Sequence, residues 1–117
     1  MKKILLVDDD ENLCLLYKTE FESDGYAVDV VNDGYDAVEA IENNDYDLVI
    51  LDIRMPGMNG ITALEKIAVK KRELSVLINS AYANYKDNFL TWLADDYIIK
   101  SPDLSELKEK VKSILEK

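Results

Sequence analysis

The stretch "KKILLVDDDEN" (2–12) holds the information that decides the fold. An apolar run over 4–7 ends abruptly in Asp8, Asp9, Asp10 and Glu11, four consecutive acids in a chain whose formal net charge is already -10. A continuous apolar run of this length is what a strand becomes when helices cover both faces of a parallel sheet. The carboxyl ends of such strands are where α/β sheets collect the groups that bind ligands. Neighbouring carboxylates disfavour one another's ionisation, so charge concentrated at a strand end needs a partner.

Further apolar runs over 27–31, 48–51, 76–78 and 97–99 alternate with segments of helical periodicity. That alternation is the pattern of an α/β domain with a parallel sheet. Leu13, Leu16, Tyr17 and Phe21 mark the first helix, closed by Gly25. Ala37, Val38 and Ile41 mark the second, and Ile61, Leu64 and Ile67 the third. A fourth is expected over 84–93, with Tyr85, Phe89, Trp92 and Leu93 on one side. The last carries Leu104, Leu107, Val111, Ile114 and Leu115 behind a capping-box-like pair, Asp103 and Glu106. A length of 117 residues suits one domain, 1–117, with any output domain lying elsewhere.

Composition removes several function classes. The chain has no histidine and a single cysteine, Cys14, which excludes an internal disulfide, a Cys/His zinc site and a histidine general base. Cys14 reads as a small buried hydrophobe on a helix. Fourteen Lys and Arg against twenty-four Asp and Glu leave no basic stripe for a phosphate backbone, so direct nucleic-acid binding is not expected. No apolar run approaches the roughly 18 residues of a membrane helix, and Lys2 and Lys3 precede too short an apolar run for a signal peptide. The expectation is a cytoplasmic protein whose partners are proteins or cations.

The polar residues that follow the strands carry the chemistry. Asp8 and Asp9 follow the first strand, Asp52 the third in "DLVILDIRMPGMNG", Ser80 the fourth in "SVLINSAY" and Lys100 the fifth in "DDYIIKSP". Each alone has a plainer explanation, since acids after a strand commonly complement a helix dipole. Together they converge at one sheet edge. Carboxylates gathered there call for a hard cation, and Mg²⁺, with Mn²⁺ as a substitute, suits few protein carboxylates and room for water and a phosphoryl group. Asp8 and Asp9 then form a metal seat, with Asp10 and Glu11 opening the next helix. Asp52, alone on the central strand, is the candidate nucleophile toward phosphorus. Lys100 and Ser80 can supply positive charge and a hydroxyl donor to phosphoryl oxygens.

The motifs "LLVDDDEN", "DLVILDIRMPGMNGI", "VLINSAY" and "DDYIIKSPDL" resemble, in order and spacing and over essentially the whole chain, the receiver domain of two-component response regulators. The resemblance implies a (βα)5 flavodoxin-like fold, a doubly wound five-stranded parallel sheet in the order 2-1-3-4-5. It matches Asp8 and Asp9 to the acidic metal pair, Asp52 to the phosphoacceptor, Ser80 to the hydroxyl position, Tyr97 to the switch aromatic and Lys100 to the phosphate-contacting lysine. Arg54 matches the position whose backbone carbonyl completes the Mg²⁺ shell. A histidine kinase or histidine phosphotransfer protein is the implied donor. The implied output is a changed surface on the fourth helix, fifth strand and fifth helix, read by a downstream protein. The protein is then a signalling switch rather than an enzyme, either a stand-alone regulator or phosphorelay intermediate, or a receiver excised from a multidomain regulator or hybrid kinase.

The chain departs from the family where a cis proline usually follows the lysine: Ser101 stands there and Pro102 comes one position later. Either the Lys100–Ser101 bond is trans with a shifted loop, or it is a cis bond costing about 3 to 4 kcal/mol. Arg54 and Tyr82, two positions after Asp52 and Ser80, are expected to tune the phosphorylated lifetime. A small aspartate-nucleophile phosphatase is the competing enzymatic reading, but it would carry a second Asp where Arg54 stands. A flavodoxin-like cofactor binder would not present three aspartates to a phosphate.

Overall fold

The computed structural model describes residues 1–53, 60–71, 73–81 and 94–116, with the backbone alone at 60 and 61. The expected helix over 84–93 lies outside the described residues. Five strands, β1 (Lys3–Val7), β2 (Ala27–Val31), β3 (Leu48–Leu51), β4 (Ser75–Ser80) and β5 (Asp96–Ile99), form one sheet in the order β2-β1-β3-β4-β5. Every pairing is parallel, with Val7 opposite both Val31 and Leu51 and with Ile78 opposite Tyr97. This is the doubly wound, flavodoxin-like sheet in the order 2-1-3-4-5 expected from the sequence.

Four described helices flank the sheet: α1 (Glu11–Ser23), α2 (Gly34–Asn43), α3 (Gly60–Lys70) and α4 (Ser105–Leu115). Strand side chains alternate between faces, which divides the core in two. Ile4 and Leu6 pack with Tyr17 and Phe21 of α1 and Leu107 and Val111 of α4. Leu5 and Val7 pack with Ala37 and Ile41 of α2 and Leu64 and Ile67 of α3. Both strand faces are therefore dry, which is why β1 and β3 read as unbroken apolar runs. Each fully buried Leu or Ile contributes about 1.5 to 3 kcal/mol of apolar burial.

The helix ends explain how the chain enters and leaves the sheet edge. Asp10 caps α1 by accepting from the Leu13 amide at 3.1 Å, and Asp33 caps α2 by accepting from Asp36 at 2.8 Å. Gly25, at φ 97°, closes α1 in a Schellman arrangement: its amide donates to Glu22 and that of Tyr26 to Phe21.

Two local expectations need correction. On α1 the buried face is Cys14, Tyr17 and Phe21, while Leu16 is 48% exposed. At about 100° per residue those three fall within about 60°, and Leu16 lies on the far side of Leu13. At α4 the capping box does not form. Leu104 precedes the helix without a side-chain cap, Asp103 accepts from the Ser105 amide at 2.9 Å, and the Asp103 amide donates to Ser101 Oγ rather than to Glu106. Among the described residues no peptide bond is cis, so Lys100–Ser101 is trans. No described helix is long and apolar enough to cross a membrane.

Candidate phosphoryl-transfer site

Parallel pairing brings the ends of β1, β3, β4 and β5 to one edge, and with them the residues singled out in the sequence. Asp8 and Asp52, immediately after β1 and β3, are 2% and 6% exposed, whereas Asp9 is exposed. One carboxylate oxygen from each of Asp8, Asp9 and Asp52 falls within 4.8 Å of the others. Around an octahedral Mg²⁺ with bonds of about 2.1 Å, neighbouring ligand oxygens stand about 3.0 Å apart and opposite ones about 4.2 Å, so rotation of these side chains would draw the three oxygens together onto one ion. The donor set is all oxygen, as a hard divalent cation requires.

Lys100, immediately after β5, crosses the sheet edge to the same acids. Its Nζ lies 2.8 Å from Asp8 Oδ2 and 3.2 Å from Asp52 Oδ2. Burial disfavours the ammonium, but the hydrogen bond it donates to Asp8 and the charges of both acids outweigh it, and its pKa stands above the ordinary value. The lysine backbone is fixed too, because its amide donates to the Ser80 carbonyl at 2.7 Å. Ser80 ends β4 fully buried. The neighbouring Asn79 donates from Nδ2 to the Tyr17 hydroxyl at 3.0 Å, tying β4 to α1 beneath the site.

Asp8 is held at several points. Its Oδ1 accepts from the Asp10 amide at 3.0 Å, its amide donates to the Val31 carbonyl at 3.2 Å, and its carbonyl accepts from Asn32 Nδ2 at 2.9 Å. Cys14 Sγ also approaches that carbonyl at 3.4 Å. Burial, then the charge of Asp8, pushes the Cys14 thiol up to about 11, so it remains an un-ionised hydrophobe as expected. Tyr97 is half-buried against the cluster that contains Ile78. Arg54 and Tyr82 lie outside the described residues, so neither the carbonyl expected to complete the metal shell nor the lifetime positions enter this geometry.

Asp8, Asp9, Asp52 and Lys100 thus meet as their strand-end positions require, with Ser80 on the adjoining strand. The sequence does not mark Asn32, Asn79 or the Tyr17 hydroxyl as site residues, although Tyr17 reads as part of the apolar face of α1. Asn32 had a signal, since it too directly follows a strand; the Asn79–Tyr17 pair is visible only once α1 is docked.

Comparison with known proteins agrees with this arrangement. The family model described as the response regulator receiver domain matches residues 4–112. The response regulator ArlR of Staphylococcus saprophyticus is 34% identical over 116 residues, covering 98% of this chain and 53% of the relative. The chain therefore spans about half the length of the curated relatives it matches. Among solved structures, the response regulator protein TrrA of Thermotoga maritima in complex with Mg(2+)-BeF superposes with a TM-score of 0.96 at 42% identity, covering 98% of this chain and all of that one. TrrA in complex with the histidine kinase ThkA gives a TM-score of 0.92 at 42% identity over 98% of this chain and 99% of that one. With the family model covering nearly the whole chain, this protein belongs to the response regulator receiver domain family.

Proposed function

We propose that this receiver accepts a phosphoryl group on Asp52 in a Mg²⁺-dependent reaction and thereby changes the surface it offers to a downstream protein. The observation that carries the reading is Lys100, whose ammonium meets the buried carboxylates of Asp8 and Asp52 at the joined strand ends. A carboxylate oxygen of Asp52 attacks phosphorus of a phosphohistidine on a histidine kinase or phosphotransfer protein. The P–N bond breaks, and the imidazole nitrogen leaves with the electron pair and takes up a proton. Asp8, Asp9 and Asp52 would hold a Mg²⁺ ion, whose charge would help neutralise the oxygens of the transferring group. Lys100 provides a second positive charge, and the Ser80 hydroxyl a donor. The complex of the similar TrrA with the kinase ThkA supports a kinase as donor.

Each donor yields one modified Asp52, so the protein acts as a switch rather than a turnover enzyme. The switch is a population shift, limited by how differently the phosphoryl group interacts with the two states. Tyr97 is the aromatic assigned to it, and the output face includes β5 and α4. Arg54 and Tyr82 tune the lifetime, which acyl-phosphate decay in Arg54→Ala and Tyr82→Ala would read; unchanged decay in both removes that role. A cytoplasmic location follows from the kinase partner. The test is intact-mass spectrometry after incubation with acetyl phosphate and Mg²⁺. Addition of one phosphoryl group that is lost in Asp52→Ala and with chelator is expected; addition independent of both overturns the proposal.

A further inference from the structure

The β1–β2 ladder ends in an unusual way beside the acidic cluster. Val7 pairs with Val31, and the ladder continues one bond further, from the Asp8 amide to the Val31 carbonyl at 3.2 Å. In a regular parallel ladder the Asp8 carbonyl would next accept from the amide of residue 33. The chain has by then turned away, because Asp33 caps α2. The Asn32 side chain takes over, its Nδ2 reaching the Asp8 carbonyl at 2.9 Å. An amide nitrogen must face a carbonyl oxygen here, which fixes the orientation of the Asn32 side chain.

We propose that Asn32 is a positioning residue for the metal seat: it completes the ladder that the backbone abandons, and so fixes the peptide linking Asp8 to Asp9. Both backbone polar groups of Asp8 are then held by the end of β2. Its carboxylate faces Lys100 and Asp52 from a clamped main chain, and Asp9 leaves that main chain at the very next residue. Cys14 Sγ, at 3.4 Å from the same carbonyl, is a weaker donor and leaves most of this task to the amide. Asn32 would touch neither metal nor phosphoryl group, and the inference rests on the Mg²⁺ reading above. Partners that orient metal ligands set affinity as the ligands themselves do.

The test is Mg²⁺ affinity by isothermal titration on wild type, Asn32→Ala, Asn32→Val and Val28→Ala, with melting temperature and Asp8 amide hydrogen exchange measured on the metal-free proteins. Asn32→Val keeps bulk suited to a strand end if the alanine variant folds poorly. Val28→Ala opens a cavity in the same strand without touching Asp8 and reports a merely structural loss. Expected is Mg²⁺ binding weakened about threefold to tenfold in both Asn32 variants, at or below the low end for outer-shell partners, with faster Asp8 exchange. Val28→Ala should lower the melting temperature and leave affinity alone. Wild-type affinity retained in the Asn32 variants, or an equal loss in Val28→Ala, overturns the role of Asn32. Absence of Mg²⁺ binding by wild type overturns the metal reading, and this inference with it.

Discussion

The two ends of the sheet both gather charge and treat it differently. At the amino-terminal edge, Lys3 lies 3.5 Å from Asp29 and 4.9 Å above the Tyr46 ring, Tyr46 donates to Asp29 at 2.8 Å, and Asp47 accepts from the Lys3 amide at 2.8 Å. Asp29 and Asp47 are exposed, so water shares in solvating them. At the carboxyl-terminal edge two carboxylates are buried, a third is within reach, and Lys100 bridges the buried two. Each end sets one lysine against two carboxylates, but the negative excess is solvated at the first and buried at the second, where Asp9 adds to it. Water screens a solvated excess, whereas buried carboxylates at close range disfavour one another's ionisation unless a cation or hydrogen bonds compensate.

The sharpest way to break this contrast is to remove each lysine. Lys100→Met leaves Asp8 and Asp52 without their shared partner, and metal-free stability in urea should fall by about 3 kcal/mol, the low end for breaking a buried pair. Lys3→Met should cost less than about 1 kcal/mol, as exposed pairs do. Equal losses would abolish the distinction. Next in size is metal linkage: Mg²⁺ at about 100 times its dissociation constant should stabilise wild type by about 2.7 kcal/mol. Thermal melts should show that gain largely lost in Asp9→Asn and kept in Asp29→Asn. The smallest effect belongs to the amino-terminal edge and to high pH. Burial first, then the hydrogen bond to Asp29, pushes the Tyr46 phenol from its ordinary 10.0 to about 12. The folded state therefore holds that proton more tightly than the unfolded chain. The stabilisation is complete below pH 10 and is lost as pH rises toward 12. Tyr46→Phe should flatten the decline of melting temperature across that window by a small margin, because the group is partly solvated.

Most of the site was legible because topology does the work. Once the apolar runs are strands of one parallel sheet, Asp8, Asp9, Asp52, Ser80 and Lys100 must share an edge whatever the details of packing. The phase of α1 was less legible, since Leu13, Leu15 and Leu16 offer apolar positions around much of the helix and only docking selects Cys14, Tyr17 and Phe21. Asp103 was misassigned because an aspartate can serve a turn as readily as a cap, and Ser101 captured its amide. Asn32 was overlooked because its contact is with a backbone carbonyl 24 residues away, and side-chain-to-backbone bonds over such distances leave no periodic trace.

The most direct measurement is the position of the modification. After phosphorylation with acetyl phosphate and Mg²⁺, borohydride reduction converts an aspartyl phosphate to homoserine, which peptide mass spectrometry locates. Homoserine at position 52 alone is the predicted result. Homoserine at position 8 or 9, or none in a folded protein that binds Mg²⁺, would contradict the assignment of the buried excess as a phosphoryl acceptor centred on Asp52.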